Sequence, residues 1–294
     1  MLEKNSCCKV NLLLNILGKR PDGFHELETV MHPVGLCDRL SFDRGGRDIK
    51  LTCSDPLLPT NSRNLVHRAA AAFLKQAGIE EGVRIHLEKR IPVSAGLGGG
   101  SGNAAMSFVA LNELFGAPLS PETLQELCAA LGSDIPFFLQ DRPALAVGRG
   151  EVIRPLEFFP ALRETHIVLI HPGFGISTAW AYQQLAGYPR ARNGTPGRAE
   201  KLVALLRDGD AIGASREFYN SLEAPALRKY PLLELFQRFL RENGAWAALM
   251  SGSGSSTFAL VQSQAAAEGL LEKFKGRFGE KFWTAAVPLS QSTS

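Results

Sequence analysis

The chain has 294 residues, is 45% hydrophobic and 21% charged, and carries 32 basic against 29 acidic side chains, a formal charge of +3. That composition excludes a disordered, collagenous or coiled-coil chain, and so small and scattered a charge is not the concentrated basic patch of a nucleic-acid binder. The length suits one large domain or two ordinary ones, and glycine, at 29 of 294 positions, exceeds its usual share of roughly 7%.

Residues 7–17 read as a buried strand, the turn signal Arg20-Pro21-Asp22-Gly23 follows, and a second strand is expected over 26–36. The apolar stretch 10–18 is interrupted by Asn11 and Asn15 and has no small-residue cleavage site after it, so it reads as core rather than as a signal segment. No apolar run reaches the roughly 20 residues of a membrane helix. Residues 39–53 suggest a hairpin about Gly45-Gly46. A helix is expected over 64–76, capped by Asn64 and stopped by Gly78, then a half-buried strand from Val83 to Leu87. After the glycine-rich run 94–103 come a helix over 104–115, another opened by Ser120-Pro121 and ended by Gly132, and a hairpin over 144–156. A second region begins near 160: a strand at 166–170, a helix at 177–186, a linker-like loop at 187–197, and helices at 198–206, 210–219 and 231–243. Strands at 245–250 and 257–261, joined by Ser251-Gly252-Ser253-Gly254-Ser255-Ser256, a helix at 264–275 and a strand at 281–287 complete the chain. The irregular mixture argues for an α+β fold.

The five cysteines, Cys7, Cys8, Cys37, Cys53 and Cys128, are odd in number and include no C-x-x-C, so free thiols in a reducing cytoplasm are expected. His25-Glu26-Leu27-Glu28-Thr29 opens like a zinc-hydrolase motif but ends in threonine, and the six histidines otherwise lack ligand spacing. No protein-held metal site is expected.

The densest punctuation is Ser94-Ala95-Gly96-Leu97-Gly98-Gly99-Gly100-Ser101-Gly102-Asn103, set between a strand and a helix. Glycines reach positive φ and let backbone N–H groups approach an anion, and the helix dipole favours negative charge there. The run is neither a Walker A motif, since no lysine follows the glycines, nor G-x-G-x-x-G, since Ser101 stands where glycine is required. A structural glycine turn with no ligand is the plain alternative, although five glycines between 96 and 102 exceed what a turn needs.

The segment from Pro92 to Ala105 resembles the ATP loop of the GHMP small-molecule kinases, as do Lys9-Val10-Asn11-Leu12 and Ser251-Gly252-Ser253-Gly254 other segments of that family. Gly18 to Leu27, Leu131 to Phe138, Gly148-Arg149-Gly150-Glu151 and His171-Pro172-Gly173 resemble the branch that phosphorylates the 2-hydroxyl of 4-diphosphocytidyl-2-C-methyl-D-erythritol for isoprenoid synthesis. The resemblance implies a two-domain fold, ribosomal-S5-like over 1–157 and ferredoxin-like over 158–294, with the active site in the cleft. It implies ATP and Mg²⁺ as cofactors, a cytoplasmic enzyme that is a monomer or weak homodimer, and no nucleic-acid or membrane partner. ATP phosphates would be held by Pro92, Ser94, Ala95, Gly96, Leu97, Gly98, Gly99, Gly100, Ser101, Gly102 and Asn103. Asp134 and Lys9 would be catalytic, and Asn11, Phe24, His25, Thr178 and Tyr182 would bind substrate.

Each role has an alternative in the residues themselves. Asp134, just after Gly132-Ser133, is also placed to cap a helix. Lys9 reads equally as a solvated strand-end lysine, Phe24 and His25 as turn and core residues, and Tyr182 as helix packing. A carboxylate of ordinary pKa ~3.9 is about 12 units too weak a base to strip an alcohol near water's ~15.7 beforehand. A loose phosphoryl-transfer transition state needs only that it orient the hydroxyl and take the proton late. Departures from the family pattern are Cys7-Cys8 where Pro-Ala is usual, Phe24 for tyrosine, Gly102 for serine, and Ser255-Ser256. A GHMP kinase acting on homoserine or a sugar, and a nucleotide-binding regulator without turnover, remain the rival readings.

Overall fold

Two strands much longer than the hydrophobic pattern suggests organise the computed structural model, which describes residues 1–289: β1 (Leu2–Lys19) and β2 (His25–Arg44). β1 runs beyond the expected 7–17 at both ends and β2 beyond 26–36 as far as Arg44, while Val10 to Leu14 is buried without alternation, as in a strand covered on both faces. The turn between them closes through Gly23 N to Arg20 O (3.1 Å) and Arg20 N to Phe24 O (2.8 Å). Next come β3 (Ile49–Cys53), α1 (Leu65–Ala77), β4 (Val83–Glu88), α2 (Gly99–Leu114), α3 (Pro121–Leu131), a 3₁₀ turn (Ile135–Leu139), β5 (Ala144–Gly148) and β6 (Val152–Pro155). The remainder is β7 (His166–His171), α4 (Thr178–Gln184), α5 (Pro189–Arg192), α6 (Arg198–Arg207), α7 (Ala211–Glu217), β8 (Tyr219–Asn220), α8 (Glu223–Lys229), α9 (Pro231–Glu242), β9 (Ala247–Met250), β10 (Thr257–Val261), α10 (Gln264–Phe278) and β11 (Trp283–Pro288).

The described residues form two compact units, one of residues 1–8, 36–91 and 98–141, the other of 9–35, 92–97 and 142–289. In the first unit, β2 pairs antiparallel with β4 (Arg39 opposite Glu88) and β3 runs parallel to β4 (Ile49 opposite Val83). The expected 39–53 hairpin is therefore corrected: β2 and β3 flank β4 instead of pairing with each other. Phe42, Phe73, Phe108 and Phe137 are fully buried here, and Asn64 caps α1 by accepting from Val66 N at 2.9 Å.

The cysteine expectation is also corrected. Cys7 and Cys37 form a disulfide across 30 residues, because neighbouring strands β1 and β2 bring side chains together that spacing along the chain cannot relate. Cys53 and Cys128 remain thiols, and Cys8 is buried.

In the second unit, β5 pairs with β2 (Leu27 opposite Gly148) and with β6, and β8 runs parallel to β1 (Leu13 opposite Tyr219). A separate antiparallel sheet has the order β11-β7-β10-β9. One apolar core gathers Leu14, Ile16, Leu27, Ile176, Leu222 and Met250, and another Val168, Phe236, Ala259 and Phe274. Helix α8 is absent from the sequence expectation because Pro225 sits inside it, within the first turn where proline is tolerated. No helix among the described residues is long and apolar enough to cross a membrane.

Candidate active site

The glycine run opens α2 earlier than expected: the helix starts at Gly99, not 104, after Gly98 at φ +71°. Gly98 supplies no side-chain cap, and the first turn holds no acidic residue. No side chain of the cap or first turn therefore competes for the helix-start N–H groups, which is the arrangement that receives phosphate. Ser101 Oγ donates to Asp134 Oδ1 at 2.9 Å. Asp134 precedes the 3₁₀ turn at φ −92°, ψ −8°, and its carboxylate makes no capping hydrogen bond. Of the two readings left open by the sequence, the cap is not what this carboxylate does. Ser101 and Asp134, predicted from separate motifs 33 residues apart, share one hydrogen bond within the first unit.

The second unit carries the lysine. Lys9, only 5% exposed, donates through Nζ to Asn11 Oδ1 at 2.5 Å and to Gly96 O at 2.9 Å, while its backbone N donates to Leu97 O at 3.0 Å. It is not a solvated strand-end lysine. Asn11 and Lys9 share a strand face, and Asn11 Nδ2 donates to Thr29 Oγ1 at 2.9 Å. Gly96 must be glycine: its φ is +77°, and a Cβ would stand 2.1 Å from Ser251 O. Ser251 Oγ donates to Gly96 O at 2.9 Å and Ser256 N to Ala95 O at 3.0 Å, so the second Gly/Ser segment braces the start of the first. Asn220 Nδ2 in turn holds Met250 O and Gly252 O at 2.8 and 2.7 Å.

The aromatic residues predicted to meet substrate also lie in the second unit. His25 and Tyr182 have ring centroids 5.1 Å apart at 40°. Phe24 is 51% exposed, with the Arg149 guanidinium 4.6 Å over its ring. Burial pushes the His25 imidazole below its ordinary pKa, and the charges of Lys19 and Arg192 push the same way. Thr178, at the start of α4, pairs its hydroxyl with Ser253 at 2.9 Å. Arg149 and Thr29 had no role in the sequence reading. The Gly148-Arg149-Gly150-Glu151 motif was the available signal for the first, and nothing short of strand pairing marks the second.

The GHMP kinases N terminal domain model matches residues 64–142, and the GHMP kinases C terminal model matches 200–281. The chain belongs to the GHMP kinase family. It is 40% identical over 282 residues to a 4-diphosphocytidyl-2-C-methyl-D-erythritol kinase of Synechococcus sp. (strain JA-3-3Ab), covering 94% of this chain and 90% of that protein. A kinase of the same name from Syntrophomonas wolfei is 40% identical over 274 residues, covering 93% and 94%. Among solved structures, a 4-(cytidine 5'-diphospho)-2C-methyl-D-erythritol kinase superposes with TM-score 0.81 at 35% identity, covering 98% of this chain and 99% of that one. A homoserine kinase from Cytophaga hutchinsonii superposes at 0.73 with 20% identity, a likeness of fold.

As a GHMP kinase the chain is a phosphotransferase, and membership implies ATP use. The mixed α/β architecture carries both domains of the family, as the sequence resemblance implied. Of the departures noted in the sequence, Cys7 is half of the disulfide. Ser255 and Ser256 hydroxyls approach His171 Nδ1 at 3.4 Å each, and burial lowers the pKa of that imidazole.

Proposed function

We propose that the protein transfers the γ-phosphate of ATP to the 2-hydroxyl of 4-diphosphocytidyl-2-C-methyl-D-erythritol, a step of non-mevalonate isoprenoid precursor synthesis. The observation that carries the phosphotransfer part is Asp134, a half-buried carboxylate that leaves its 3₁₀ turn uncapped and instead accepts from Ser101 of the glycine run. In this reading Asp134 orients the acceptor hydroxyl and takes its proton late, and Lys9 supplies positive charge to the transfer. Residues 92–103 hold the ATP phosphates, those after Pro92 through their backbone N–H groups. Bound Mg²⁺ would offset phosphate charge, with Ser101 as the contact from this chain.

The acceptor is assigned on the relatives' shared name and on the His25–Tyr182 ring pair, with Phe24 next to His25 along the chain. Aromatic faces are worth roughly 1–3 kcal/mol per stacked base, and His25 adds an edge that hydrogen-bonds cytosine. Asn11 and Thr178 complete the acceptor contacts. We place the domain boundary at 157/158, which separates the two matched family segments, and the enzyme in the cytoplasm as a monomer or weak homodimer, without nucleic-acid or membrane partners.

The test is turnover with Mg-ATP and the cytidyl substrate, followed by ADP release, with homoserine, galactose and mevalonate as controls. Turnover with a control and none with the cytidyl compound would overturn the acceptor. Asp134→Asn is expected to lower kcat by about 10²–10⁴; near-full activity would remove Asp134 from its role. His25→Ala should raise KM for the acceptor and leave KM for ATP nearly unchanged.

A further inference from the structure

Asp38 is 0% exposed, on the stretch of β2 in the first unit, and its two carboxylate oxygens divide their work. Oδ1 accepts from the backbone N–H of Arg90 (2.7 Å) and Ile91 (2.9 Å), where the chain leaves β4. Oδ2 accepts from Asn103 Nδ2 (3.0 Å), inside α2, and from the ammonium of Lys89. Lys89 is itself 7% exposed in its side chain. That ammonium lies directly beneath the glycine run, since a Cβ at Gly99 would stand 3.3 Å from Lys89 Nζ and 3.0 Å from Ile91 Cγ2.

One carboxylate thus ties the last residues before the glycine run to the helix that follows it. A buried ion pair is weak evidence for stability, because desolvating both charges offsets most of their attraction. Its geometric consequence is definite: four donors on one fixed acceptor leave residues 89–91 and 103 little freedom, and the segment between them inherits both ends. We propose that Asp38 is a positioning residue for the phosphate loop, acting through Lys89 and Asn103 to hold the start of α2 in its anion-receiving conformation. The inference rests on the reading of residues 92–103 as the ATP loop.

Asp38→Asn is the informative variant. Its carbonyl oxygen still accepts from Arg90 and Ile91, and Asn103, whose Oδ1 has no partner, can turn its amide to accept from the new Nδ2, but the Lys89 ammonium can only donate and now faces an N–H. The strand exit stays held while the ion pair with Lys89, beneath Gly99, is lost. Dissociation constants for Mg-ATP and, separately, for the cytidyl acceptor are measured by calorimetry on the full chain, together with the melting temperature. The expected result is an Mg-ATP Kd raised at least tenfold with the acceptor Kd within twofold. A lowered melting temperature with Mg-ATP Kd within twofold of wild type would reduce Asp38 to a structural residue and overturn the proposal, as would equal weakening of both ligands. Lys89→Met, which keeps the volume and removes the charge, provides the same readout if Asp38→Asn does not fold; at least a fivefold rise in Mg-ATP Kd is expected, and no rise overturns the inference. If wild type fails to bind Mg-ATP, the ATP-loop reading itself falls, an outcome distinct from a variant that binds as wild type does.

Discussion

Gly96→Ala tests the brace between the two Gly/Ser segments. An alanine at φ +77° enters the left-handed region, at roughly 1–2 kcal/mol. Its Cβ would lie 2.1 Å from Ser251 O, 3.0 Å from Gly254 N and 3.1 Å from Gly254 O, against 3.4–4 Å for ordinary contact. The 251–254 backbone must therefore retreat by about 1 Å, and no flexible side-chain tip is available to absorb the clash. The hydrogen bonds crossing that contact are Lys9 Nζ to Gly96 O (2.9 Å), Ser251 Oγ to Gly96 O (2.9 Å) and Ser256 N to Ala95 O (3.0 Å). At ~0.5–1.5 kcal/mol each, losing them together with the backbone strain comes to about 3–6 kcal/mol, a large part of a typical 5–15 kcal/mol. The control is Gly100→Ala, where the nearest atom to the new Cβ is Leu65 Cδ1 at 3.6 Å and the backbone is helical; stability there should be unchanged or higher by up to ~1 kcal/mol. Urea unfolding of both variants, with kcat/KM for Gly96→Ala, is the assay. A Gly96→Ala protein within ~1 kcal/mol of wild type and equally active would refute the brace.

His25 has its pKa lowered by burial and then by Lys19 and Arg192, so it is neutral at pH 7; KM for the cytidyl acceptor should be flat from pH 8 to 6.5 and rise at lower pH, and a midpoint above 6.5 would contradict a neutral ring in binding. His32 is 1% exposed with Nδ1 2.8 Å from Pro33 O, and burial drives its pKa to about 4. Since the unfolded chain takes up that proton first, stability should fall as pH drops from 6.5 to 4, by about 3 kcal/mol from this residue; urea titrations of His32→Gln should show a shallower acid loss than wild type. Alkylation of the denatured, unreduced protein should label three of the five cysteines and, after reduction, all five; five labels without reductant would rule out the Cys7–Cys37 bond.

The sequence by itself determined the local chemistry. Positive-φ glycines, the Asn64 and Ser120 caps and the breaks at Gly78 and Gly132 act over a few residues, so they are readable from the order of residues alone. The family motifs, including Lys9, Asp134 and the glycine run, are legible for the same reason. What only the tertiary structure decided is which distant groups meet: β4 between β2 and β3, Cys7 with Cys37, Ser101 with Asp134, and Asp38 beneath the loop through Lys89 and Asn103. Asp134 shows the division most clearly, since its position fits a helix cap until Ser101 takes its oxygen. Contacts between residues tens of positions apart depend on strand order and register, which short-range propensities and periodicity do not encode.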